Sequence, residues 1–159
     1  MKVIFLDIDG VLNHENFYES RFNTEIYPNG FGTYPLCEFC PESVDNVNKI
    51  LKETGAKIVI SSSWRFNENI DTILSVVGIH QTTYDKTPYL GTEFGTNLCS
   101  GHEIQRYLDN HPEIEDYVII DDDSDMNDNQ LSHFFQTSWK DGLTIEITNK
   151  IINYFNGSK

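Results

Sequence analysis

Short, mainly apolar runs alternate along this chain with longer stretches that place an apolar residue at every third or fourth position. The runs are Val3 to Leu6, Ala56 to Ile60 and Tyr117 to Ile120, each of a length that suits a strand buried on both faces. The spaced stretches predict helices. Pro41 to Thr54 carries Val44, Val47 and Leu51 on one stripe, with Pro41 suited to a first turn and Gly55 to a stop. Asn67 to Val77 carries Ile70, Ile73, Leu74 and Val77, with Gly78 at its end. Ser100 to Asn110 carries Ile104, Tyr107 and Leu108, and Ser100 and Glu103, three apart, read as a capping box. A final helix is predicted after Thr144, a candidate N-cap, on the stripe Ile147, Ile151 and Phe155. Shorter strands are expected over Ile79 to Tyr84 and His133 to Thr137, and a loop over Asp85 to Leu98. Strands that alternate with helices predict an α/β fold, with a mostly parallel sheet and helices on both faces.

Residues 13–41 break this rhythm. Phe17, Tyr18, Phe22, Tyr27, Phe31, Tyr34 and Phe39 are scattered among turn residues with no period of 3.6 or 2. Long irregular segments in compact domains tend to be functional, and seven aromatic rings need something to pack against. The expectation is one domain over residues 1–159 with a small lid over 13–41, too short for a full helical cap. Composition narrows the functional classes. The net charge is −14, and the eleven Lys and Arg form no cluster. A generic nucleic-acid-binding surface or an anionic-membrane surface needs the opposite charge. No apolar stretch approaches a membrane span. Asp7 and Asp9 interrupt the first apolar run, so it does not read as a signal peptide. Three cysteines, an odd number, without an export signal lead us to expect a reducing, cytoplasmic setting.

Three predicted strands run straight into polar groups: Asp7 and Asp9, Ser61 and Ser62, and Asp121, Asp122 and Asp125. On an extended chain residues i and i+2 point the same way, so Asp7 and Asp9 emerge together. In a parallel sheet all three strand ends share one edge, where ligands of open α/β sheets bind. Carboxylates crowded at one point suit Mg²⁺, which takes a few of them with waters and a substrate phosphate. A calcium loop starting at Asp121 fails, because Met126 stands where Gly is needed and Ser132 where Glu is needed. Asp123 and Asp128 look surplus.

Asp-x-Asp-Gly-Val-Leu after a buried first strand resembles the first motif of the haloacid-dehalogenase-like (HAD) superfamily, mostly magnesium-dependent phosphohydrolases. Ser61-Ser62-Ser63-Trp64-Arg65 is similar to a smaller set of compact HAD proteins, some associated with RNA-repair assemblies. The resemblance implies a Rossmann-like three-layer sandwich and Mg²⁺ held among Asp7, Asp9, Asp121, Asp122 and Asp125. It also implies a phosphatase in which Asp7 takes the phosphoryl group and Asp9 serves as general acid and base. Ser61 or Ser62 is expected to bind the phosphate, with a lean to Ser62 because Ser61 can still belong to the strand. Lys86, with Arg106 as the alternative, is the expected balancing cation, and Arg65 a second phosphate contact. Ser100 departs from related compact sequences, which carry a basic residue there. The substrate is expected to be a phosphorylated small molecule or a nucleic-acid end. The competing reading is a non-catalytic metal- or phosphate-binding regulatory module on the same scaffold. Cys37 and Cys40 with Cys99 and His102 carry the spacing of a Cys₃His zinc site.

Overall fold

The first predicted strand sits at the centre of the sheet. The computed structural model describes residues 1–22, 39–81, 83–91 and 99–157. The elements run β1 (Lys2–Leu6), α1 (Glu15–Phe22), α2 (Pro41–Thr54), β2 (Lys57–Ile60), α3 (Ile70–Val77), β3 (Asp85–Lys86), α4 (Ser100–Asn110), β4 (Asp116–Asp121), β5 (Phe134–Gln136) and α5 (Ile145–Phe155). Two 3₁₀ helices, Ser63–Phe66 and Asp128–His133, follow β2 and β4. The five strands pair in the order β3-β2-β1-β4-β5, and every pairing is parallel. This is the mostly parallel α/β sandwich expected from the apolar runs.

Alternation along the strands divides the core. Ile4, Leu6, Ile58, Ile60, Val118 and Ile120 pack against α2, α3 and α5 through residues such as Val47, Ile50, Leu74 and Ile151. Val3, Phe5, Val59 and Ile119 face the other way, onto Ile104 and Tyr107 of α4. These strands are covered on both faces, which is why they read as continuous apolar runs. No helix among the described residues is long and apolar enough to cross a membrane.

Three local expectations are corrected. The third strand lies at Asp85–Lys86, alongside Val59 and Ile60. Of the described residues in the expected stretch Ile79 to Tyr84, it is Tyr84 that reaches β2, its N–H donating to Ile58 O at 2.8 Å. Ile79 is instead a core residue at the exit of α3. The segment after β1 opens with a helix, α1, whose backbone starts on the turn that holds Trp139 and Lys140. The lid expected over 13–41 lies mostly outside the described residues, at 23–38. Finally, Ser100 is not a cap. Cys99 holds the N-cap position of α4 without a side-chain bond. The Asp125 carboxylate accepts the Ser100 N–H from across the loop at 2.8 Å instead.

Candidate active site

The register of the sheet brings the expected residues to one edge. Leu6 pairs with Ile60 on one side and with Ile120 on the other, so Asp7, Ser61 and Asp121 are the next residues on three adjacent strands. The backbone confirms the alignment: Asp7 N–H donates to Ile120 O at 3.0 Å, and Ser61 N–H to Leu6 O at 3.0 Å. Beyond Asp7 the chain turns sharply, with the N–H groups of Val11 and Leu12 bonding back to Ile8 O. Gly10 occupies the tip at φ 69°. A β-carbon there would lie 2.6 Å from an Asp122 carboxylate oxygen, so glycine is what lets Asp122 close in on Asp7.

Three carboxylates result. Asp7, Asp121 and Asp122 each offer an oxygen within 4.8 Å of the others. Asp121 is 4% exposed, and one of its oxygens accepts the Asp123 N–H at 2.9 Å. Burial pushes the Asp7 carboxyl above its ordinary range, opposed by a hydrogen bond from Ser62 and reinforced by the charges of Asp9 and Asp122. Burial likewise raises Asp121, with the Asp7 charge as the next cause. Crowded anions that hold protons this firmly are short of positive charge. All-oxygen donors, their mutual repulsion and the room left by Gly10 fit a small hard dication such as Mg²⁺.

Asp9 and Asp125 belong to the same cleft but not to this triad. Asp9 is held at both oxygens, by Asn13 Nδ2 at 2.7 Å and by the Trp64 indole N–H at 3.0 Å. Asn13 also accepts the Gly10 N–H at 3.0 Å. Asn13 and Trp64 therefore fix the orientation of the Asp9 carboxylate, and residue chemistry alone did not single them out. Both stand inside motifs that the sequence displayed, so a search for partners of Asp9 within those motifs finds them. Asp125 is spent on the start of α4.

The two serines part company. Ser62 caps the 3₁₀ helix by accepting the Trp64 N–H at 3.3 Å, and its hydroxyl bonds Asp7. Ser61 is buried, lines the cleft, and its hydroxyl has no hydrogen-bond partner among the described residues. Arg65 lines the cleft with most of its guanidinium already engaged, its Nε being without a hydrogen-bond partner among the described residues. Its guanidinium holds the carbonyls of Ser61 and Ser62, both at 2.9 Å, and pairs with Glu103 at 2.6 Å, with both side chains 8% exposed. Glu103 in turn accepts the Leu90 N–H at 3.1 Å. Lys86, at the end of β3, donates to Arg65 O at 3.3 Å and stands outside the cleft lining. Arg106 is exposed on α4. Cys99 Sγ and His102 Nδ1 lie 2.8 Å apart, Cys40 is buried at the start of α2, and Cys37 falls outside the described residues.

A family model described as the HAD domain in Swiss Army Knife RNA repair proteins matches residues 3–147. No curated protein matches the chain.

Proposed function

The chain belongs to that HAD domain family, and from this membership and the acidic triad we propose that it is a Mg²⁺-dependent phosphohydrolase acting through an aspartyl-phosphate on Asp7. The observation that carries the reading is the triad itself, Asp7, Asp121 and Asp122 within joint reach of one cation. A divalent ion bound there offsets the repulsion between a carboxylate and an anionic ester and stabilises charge on the transferred group. The remaining work falls to side chains. An Asp7 oxygen attacks phosphorus and the bond to the leaving oxygen breaks. Asp9 gives that oxygen a proton, then takes one from a water that attacks the same phosphorus. The second displacement frees Asp7 and releases phosphate. Asn13 and Trp64 hold Asp9 in orientation across both steps.

Ser61, rather than Ser62, is the proposed phosphate ligand. Its buried, unpartnered hydroxyl on the cleft wall supports this, since such groups are costly unless something pairs with them. Lys86 is the proposed balancing cation. Among the described residues one hydrogen bond occupies its ammonium, whereas Arg65 is paired with Glu103. The family description favours a nucleic-acid end as the substrate class.

Hydrolysis of a generic aryl phosphate tests the reading. The parent is expected to turn over with Mg²⁺ and to stop when a chelator is added. Asp7→Asn falls to background, and Asp9→Asn loses roughly 10²-fold or more, the usual share of general acid–base catalysis. Background rates in all three proteins identify the non-catalytic module instead.

A further inference from the structure

Exposed aromatic rings are concentrated on the rim of the acidic cleft. Among the described residues the large exposed aromatic side chains are Phe66, Tyr84, Tyr89 and Trp139, at 59%, 47%, 65% and 48% exposure. Three of these four, Phe66, Tyr89 and Trp139, line the cleft that holds Asp7. Isolated surface apolar residues need no explanation, but a group around one site does. Phe66 ends the 3₁₀ helix after β2 and Tyr89 follows β3, on one flank of the sheet. Trp139 follows β5, on the other. The acidic strand ends lie between.

The Phe66–Tyr89 pair is built, not incidental. The rings meet edge to face with centroids 5.2 Å apart. The Arg65 guanidinium sits 4.8 Å from the Phe66 centroid and 5.9 Å from that of Tyr89, and its own position is fixed by Glu103. Glu103 also holds the residue after Tyr89 through the Leu90 N–H. Gly91, at φ 49°, completes the support: a β-carbon there would lie 2.8 Å from the Tyr89 ring. One buried ion pair thus presents two aromatic rings to solvent beside the reaction site.

Charge limits what those rings can receive. Asp9, Asp123, Asp125 and Glu103 add to the triad on the cleft wall, and among the described residues its one basic side chain is Arg65, paired with Glu103. A polynucleotide backbone tracked along this surface meets repulsion at each flanking phosphate. A nucleobase is uncharged and stacks on aromatic rings whatever its identity. We propose that Phe66, Tyr89 and Trp139 form a stacking site for the base of a single phosphorylated nucleotide whose phosphate reaches the Asp7 edge. The cleft, about 470 Å³, is in the range of small-ligand sites. The ligand is a nucleoside monophosphate or the terminal nucleotide of a nucleic-acid end, held by its base and not by its neighbours. This rests on the phosphohydrolase reading and names the substrate class for it.

The test separates the two claims. Binding is measured by calorimetry on Asp7→Asn with Mg²⁺, using adenosine monophosphates, oligoadenylates phosphorylated at either end, and ribose 5-phosphate as the baseless control. A base is expected to tighten binding about tenfold, from the usual strength of one base–aromatic stack. Adding Phe66→Ala, Tyr89→Ala or Trp139→Ala brings the ratio towards one. Tyr89→Phe preserves it, as does Val76→Ala, which removes an exposed apolar side chain from α3. Tight binding of the monophosphate identifies a free nucleotide as ligand, and tight binding of the oligoadenylate alone identifies a chain end; either supports the site. Equal affinities with and without the base, or a ratio untouched by all three alanine variants, overturn it. In that event turnover of aryl phosphate by the parent still upholds the phosphatase. Base-dependent binding without any turnover sinks the phosphatase alone.

Discussion

Ser61 and Ser62 are chemically identical neighbours, and the fold gives them different work. The Ser62 hydroxyl holds a cap and a hydrogen bond to Asp7; the Ser61 hydroxyl has no partner among the described residues. Their alanine variants are expected to separate cleanly. Ser62→Ala costs about 0.5–2 kcal/mol of stability, the range for a lost helix cap, and urea unfolding reads it. Ser61→Ala leaves stability unchanged or slightly raised, because a buried hydroxyl without a partner is removed. It weakens phosphate binding by about 1.5–3 kcal/mol, the usual value of a hydrogen bond to a charged group, and competitive inhibition by inorganic phosphate measures that. The string Ser61-Ser62-Ser63 contains no signal that tells these roles apart. They are set by where β2 ends, and Lys57–Ile60 ends one residue before Ser61.

At the scale of elements, the Arg65–Glu103 pair ties the 3₁₀ helix after β2 to α4 and to the loop beyond β3. Breaking a buried ion pair from one side leaves an uncompensated charge. Glu103→Gln is therefore expected to lower stability by about 3–5 kcal/mol, while Arg65→Met with Glu103→Met recovers much of it. Chemical denaturation of the three proteins checks this. Elements with an apolar stripe were legible from the sequence. Pro41–Thr54 and Ser100–Asn110 form helices over those residues, and Thr144 caps α5 as read. Elements without a stripe were not. Glu15–Phe22 has no apolar face to betray it, and a strand of two residues, Asp85–Lys86, is too short to show alternation. Glu103 misled because its spacing from Ser100 imitates a local cap. Its actual partner is Arg65, and no local rule reports that separation.

Over the whole molecule, uncompensated acid is the dominant electrostatic feature. Asp7 and Asp121 hold protons more firmly in the folded protein than the ordinary carboxylate value of 3.8. Folding then binds protons, and stability from these groups falls as pH rises from that value through their raised ones. The advantage in melting temperature of Asp121→Asn over the parent, both free of metal, is expected to grow from pH 5 to pH 8. Each kcal/mol appears as about 2–4 °C in a chain of this size. Saturating Mg²⁺ is expected to reverse the ranking, since a ligand at about 100 times its Kd stabilises the parent by about 2.7 kcal/mol. The edge on which these groups meet was legible, because buried runs ending in Asp or Ser on parallel strands must converge. Which carboxylates form the triad was not: the turn at Gly10 and the capping of α4 by Asp125 decide that, and both are contacts across the fold.

The central place of β1 also dictates an order of assembly. Its partners are β2 and β4, and β4 begins only at Asp116. β1 is therefore fully enclosed only once β4, far later in the sequence, has paired with it, and until then its apolar side chains lack one neighbour. Contacts so distant in sequence make folding slow. Among the described strands, the same winding places β3 and β5, two and three residues long, at the margins. Such stubs offer little template for another chain to pair with, so the finished sheet is protected against edge-on aggregation.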